Sequence, residues 1–384
     1  MKGAATYLET DLDTKLLWLA CRHHILELIV GAVWNSIFGP TKSADNLIFK
    51  TFQEKWKNID TTAPITILPD YNNECLQKLK IETAEHLHQV LNGSGHKDIP
   101  RNDYREACEL ALIMLSEEPE RWREKTRWQT PGAISNARWM AKIIYAPKML
   151  AFSNQMKGWD EEFVSKLRDF VTFTSYVYVR YWMQASIGRD APILDLTLYK
   201  ELLQLQDLFP RMADAALQKL QKHTWYLTPE VVVFSLCSRL ASESEKAAIA
   251  QKLLENKETV FLSGKPKLPV LHPTSTLVDF VTPTSWFILK KLNISGNFLE
   301  LPVCEWKNSL EFQKFDRYVS TIKVVNDIAE RGIKLCSEVI KKTKSEETRK
   351  NLLHVIENHR HTVNSISKQS MLEGLAKLGA NNNN

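Results

Sequence analysis

Six cysteines in 384 residues are too few for a disulfide framework, and no two stand as C-x-x-C, which excludes a zinc ribbon or finger and fits reduced thiols. Long apolar runs are missing too: the stretch from Phe170 to Val179 reaches about half of a membrane span, and no basic-then-apolar leader opens the sequence. These absences predict a soluble protein, nuclear or cytoplasmic, with no membrane partner. Neither G-x-x-x-x-G-K followed by Ser or Thr, nor G-x-G-x-x-G, H-E-x-x-H or G-x-S-x-G occurs, so nucleotide-phosphate loops, zinc proteases and hydrolase elbows have no support. Charge of one sign is not in excess. Fifty basic against 45 acidic residues give +5, which permits a polyanionic partner without establishing one. What is present, 44% apolar and 25% charged residues, is the mixture of an ordinary globular chain. At this length two domains, or one domain split by a large insertion, is the natural expectation.

The segment Trp18 to Leu28, WLACRHHILEL, interrupts an apolar run with a cysteine, an arginine and two histidines. Leu16 to Ala20 is short, apolar on both faces and preceded by a turn-like Asp11-Leu12-Asp13-Thr14, which predicts a buried strand. From His24 onward Ile25, Leu28, Ile29, Ala32, Val33 and Ile37 recur at helical spacing until Gly39-Pro40. Helical patterns then dominate: Asn72 to Leu91, Arg101 to Ser116, Pro131 to Phe152, Trp159 to Gln184 and Ile193 to Leu220. Val260 to Thr284 reads as turns with short strands, and two further helices are expected at Glu311 to Lys342 and Glu346 to His361.

Four groups of residues bear on chemistry. Cys21 and His24 have the spacing of a zinc half-site, but no second pair of comparable spacing exists, and a small buried residue at a strand end with a histidine beside it accounts for them better. Arg138 beside Trp139, with Lys142 one turn on, can hold a phosphate and stack on an unstacked base; a tryptophan on a helix is also common core material. Asp327 and Glu330, three apart, share one helical face and can hold a hard divalent cation, as can many exposed acid pairs that hold nothing. The aromatic run Phe170 to Trp182 is read as packing rather than as a stacking platform.

Taken in order, the stretches WLACRHHILEL, ARWMAKIIYAPKML and VVNDIAERGIKL resemble the hAT superfamily of DNA transposases, from about Lys15 to about Lys342. The resemblance implies a mainly α fold in which a large helical insertion interrupts an incomplete RNase H-like α/β core. It implies the divisions 1–40 (last strand and following helix of that core), 41–310 (insertion), 311–362 (helices completing the core) and 363–384 (flexible tail). It implies that Glu330, with Asp327 as a weaker companion, supplies carboxylate to Mg2+ or Mn2+. Arg138, Trp139 and Lys142 would contact branched or hairpin DNA ends, and Cys21 and His24 would shape the rim of the site.

The family's two metal-binding aspartates belong to strands ahead of the C-x-x-H strand, and the sequence starts too late to contain them. Asp13 stands roughly 20 Å, at about 3.3 Å per residue, from the strand end where Cys21 sits. One carboxylate does not hold a two-metal centre, so no metal is expected on this chain alone. The expected function is therefore that of a transposase-derived DNA-binding or interaction protein, catalytically silent and able to self-associate. Two alternatives stand beside it: a fragment of an active metal-dependent transposase, and a helical protein-interaction scaffold.

Overall fold

The computed structural model describes residues 6, 9–10, 12–40, 46–93, 99, 101–119, 128–132, 139–255 and 265–325, all within one compact unit, residues 1–326. The fold is mainly helical, and no strand forms among the described residues. Helix α1, Arg22–Phe38, begins after Cys21 in an extended conformation and stops at Gly39, whose amide donates to the Asn35 carbonyl at 3.0 Å. Ile25, Leu26, Ile29, Val30, Val33, Trp34 and Ile37 recur at three- and four-residue steps and are all buried, which makes one face of α1 core.

Further helices follow. Asn46 caps α2 (Leu47–Lys55) and Asn73 caps α3 (Glu74–Leu91), each through its side-chain oxygen on free amides of the first turn. Helix α4 is Asn102–Met114 and α5 is Trp139–Ala151. Asp160 caps α6 (Glu161–Phe173), which runs on through a π turn, Thr174–Tyr178, into α7 (Val179–Gln184). The widened turn leaves the Tyr176 carbonyl to the Thr83 hydroxyl of α3 at 2.7 Å. Then come α8 (Ala191–Gln204), α9 (Pro210–Leu220), α10 (Pro229–Val232), α11 (Glu243–Glu255), α12 (Phe287–Lys291) and α13 (Leu310–Thr321), linked by turns and 3-10 segments.

The helices share one hydrophobic core. Helix α1 lies along α9 and also meets α6, while α4 packs against α3 and α5. Rings knit four helices: Trp34 of α1 meets Phe49 of α2 at 5.2 Å and Phe170 of α6 edge-on at 4.9 Å, and Phe49 stacks on Tyr145 of α5 at 4.6 Å. The run Phe170 to Trp182 is buried throughout, as packing requires.

Three expectations are corrected. Leu16 to Ala20 is not a strand: with no neighbouring strand to complete a ladder, its polar groups turn elsewhere. The Leu16 amide and the Trp18 indole donate to one Glu9 carboxylate oxygen, each at 3.0 Å, and the Ala20 carbonyl accepts from the Tyr226 hydroxyl. The segment expected as one helix from Ile193 to Leu220 is two, because Pro210 has no amide hydrogen to continue a helix and forces Phe209 out of the helical region. Helix α13 ends at Thr321 rather than continuing, since Ile322 is extended and the Val324 carbonyl is taken by the Arg22 amide at 2.9 Å. No strand appears in the described part of Val260 to Thr284; 256–264 and everything from 326 onward lie outside the described residues.

Gly296 combines a left-handed φ of 86° with a close approach: a Cβ there would stand 2.6 and 2.7 Å from two Trp286 ring carbons. That ring is buried and donates to the Leu253 carbonyl at 2.9 Å, so it has little room to retreat. Gly296→Ala is expected to destabilise the fold by about 1–3 kcal/mol in chemical denaturation. Gly158→Ala, at φ 87° but in open space, is expected to lose less.

Candidate functional site

Arg138, Asp327 and Glu330 lie outside the described residues. Trp139 opens α5. Lys142, one turn further on, is 7% exposed. Burial holds its ammonium below the usual lysine range, so a phosphate contact there requires the site to be uncovered. Cys21 is half-buried as the residue before α1, whereas the exposed His24 side chain turns Nδ1 to Glu27 at 3.1 Å. Among the described residues no group of three His, Cys, Asp or Glu side chains gathers in a way that could hold a metal ion.

The most constrained chemistry stands between Cys21 and His24 in sequence. Arg22, 3% exposed, places one guanidinium nitrogen 2.6 Å from Asp195 of α8 and donates with the other to the Ala185 carbonyl at 3.2 Å. Its guanidinium carbon also lies 5.5 Å from the centre of the Tyr226 ring. The Tyr226 hydroxyl reaches the Ala20 carbonyl and, at 3.4 Å, the Val324 carbonyl, which already accepts from the Arg22 amide. The start of α1, the middle of α8, the turn at 225–227 and the segment 322–325 therefore meet at one point. Burial raises the Asp195 carboxyl above its ordinary value, and the Arg22 charge works against that shift. Beside Arg22, His23 stacks on Trp182 with ring centres 3.7 Å apart.

This node was missed from sequence, although a signal existed: Arg22 and Asp195 each interrupt an apolar run with opposite sign. The neighbouring surface was missed as well. The Tyr226 bond to Ala20 sets the turn after α9 beside the start of α1, and His223 on that turn feels Lys219, His24, Lys265 and Lys222. Partial burial, first, and then those neighbours hold the His223 imidazole below its ordinary 6.5. No protein-family model matches the sequence, and no curated protein and no solved structure matches it either.

Two outcomes follow from this geometry. Arg22→Met or Asp195→Leu alone leaves a buried charge without its counter-charge and is expected to remove about 3–5 kcal/mol. The double variant is expected to recover most of that, and additive losses in the double-mutant cycle would contradict a coupled pair. In an NMR pH titration His223 is expected to have its midpoint below 6.5 and to move upward in Lys219→Gln/Lys222→Gln. Because the fold disfavours the imidazolium, the unfolded chain takes up this proton first as pH falls, so the group's contribution to stability is present above pH 6.5 and lost below it.

Proposed function

We propose that the chain is a transposase-derived helical protein that binds DNA and, through the residues in this sequence alone, does not cut or join it. The observation that carries this reading is the order of three motifs: Cys21-x-x-His24, Arg138-Trp139, and Glu330 within Ala329-Glu330-Arg331. A contact in the fold supports it. The Arg22 amide bonds the Val324 carbonyl, so the Cys21 end of the first motif touches the segment that leads into the third. The RNase H-like core belongs to this proposal, and so do the nuclear or cytoplasmic setting and any self-association.

The family's metals, if bound, would activate water or a 3′ hydroxyl and stabilise a leaving oxygen at a phosphodiester. The described residues offer no donor set for them, and no step is assigned to this chain through them. What the chain's own groups offer is charge and flat surface: Arg138 as a two-pronged partner for phosphate, Trp139 as a ring for an unstacked base.

Electrophoretic mobility shifts with a hairpin-ended duplex test the reading. The protein is expected to bind at low salt, to weaken as salt rises, and to lose most of that binding in Arg138→Ala and Trp139→Ala. Incubation with the same DNA and Mg2+ or Mn2+ is expected to leave the strands intact. Absence of binding at low salt removes DNA from the proposal, and strand cleavage removes the catalytic silence.

A further inference from the structure

The last turn of α9 and the link to α10 carry Lys219, Lys222, His223 and Trp225, and no acidic residue occurs from Ala215 to Pro229. Two contacts hold further segments against it. The Tyr226 hydroxyl on the Ala20 carbonyl brings in the first turn of α1, where the exposed His24 turns its Nδ1 to the Glu27 carboxylate at 3.1 Å. The Thr224 hydroxyl on the Pro269 carbonyl, at 2.8 Å, brings in the segment 265–269, where Lys265 and Lys267 are exposed and no acid occurs between Thr259 and Val278. The Lys265 ammonium stands 5.0 Å from the centre of the half-buried Trp225 ring.

Like charges gathered on one surface repel one another, and an anionic polymer relieves that repulsion while releasing its own counterions. A ring beneath one of those cations adds a stacking surface for a flat base, which every nucleobase supplies whatever its sequence. A duplex keeps its bases stacked inside; a single strand can lay one on Trp225 in place of the Lys265 ammonium while its phosphates follow Lys219, Lys222 and Lys265.

We infer that the surface formed by Lys219, Lys222, His223, Trp225 and Lys265 binds single-stranded nucleic acid without sequence preference. This shares its partner class with the proposed DNA binding, but Lys219, Lys222, Trp225 and Lys265 are not among the residues that carry that proposal, so either can fail alone.

Fluorescence anisotropy of the full chain with a labelled 12-nucleotide oligo(dT) tests it, with a duplex of equal length and a heparin oligosaccharide as comparison probes. Oligo(dT) is expected to bind more tightly than the duplex. Lys219→Ala/Lys222→Ala/Lys265→Ala is expected to weaken oligo(dT) binding by at least about tenfold and to flatten its salt dependence, by roughly 0.7 in log–log slope for each phosphate that is no longer neutralised. Trp225→Ala is expected to lose about fivefold or more, with Trp225→Phe retaining most of the affinity. Circular dichroism checks that each variant folds, and the Phe variant keeps the test decisive if the Ala variant does not. Equal binding of oligo(dT), duplex and heparin, with no effect of either Trp225 substitution, overturns the inference in favour of a general polyanion surface. So does no binding of oligo(dT) at low salt. In Arg138→Ala/Trp139→Ala, oligo(dT) binding is expected to persist even where hairpin binding is lost, which separates the two sites.

Discussion

The Arg22–Asp195 ion pair is the constraint on which this part of the fold depends. Both groups are nearly sealed from water, and a charge in that setting is tolerated only with an opposite charge and further hydrogen bonds beside it. Asp195 supplies the charge and the Ala185 carbonyl the additional acceptor. Because the pair fixes Arg22, it also fixes where α1 begins, and the Arg22 amide then settles the position of Val324. Segments far apart in sequence are therefore registered at one residue, Arg22, with the Tyr226 hydroxyl beside it. Replacing the pair with apolar groups of similar volume need not weaken the fold, whereas halving it leaves a buried charge with no partner.

The same device recurs elsewhere in the body. Arg180 of α7 holds Glu201 of α8 through two bonds of 2.6 Å and reaches Glu82 of α3 at 2.8 Å. Lys148 of α5 is buried against Glu106 of α4, where burial raises the carboxyl and lowers the ammonium. Lys15 pairs with Glu230 at 3.2 Å. Apolar area alone is non-directional, and helices packed only by it can slide along one another. Paired charges of defined geometry choose one register among such arrangements, at little net gain in stability.

Much of the helical content was legible because it rests on local chemistry. Apolar spacing marks the faces of α1, α3, α4 and α6, whereas α2 behind its Asn46 cap and α11 went unread. Two of the three corrected expectations failed where a non-local partner decided the outcome. Leu16 to Ala20 has a strand's composition, but a strand needs a neighbour that composition cannot provide, and Glu9 and Tyr226 bind its polar groups instead. The end of α13 at Thr321 is likewise settled by a contact with Arg22, some three hundred residues earlier. The break at Pro210 was local and readable from the proline itself. For the candidate site, the spacing of Cys21 and His24 suggested a joint role, while the group that organises the region is the arginine between them. The cationic turn after α9 was also visible as a run without acids, yet only the fold shows that Lys265 joins it.

Whether the pair at Arg22 holds these segments together is tested most directly by native-state hydrogen exchange read by mass spectrometry. In the unaltered chain, peptides covering 20–26 and 319–325 are expected to exchange as slowly as the buried helices. In Asp195→Asn they are expected to lose protection together, with α4 and α5 unchanged. Fast exchange of these peptides in the unaltered chain, or a loss spread evenly over the whole fold, would contradict it.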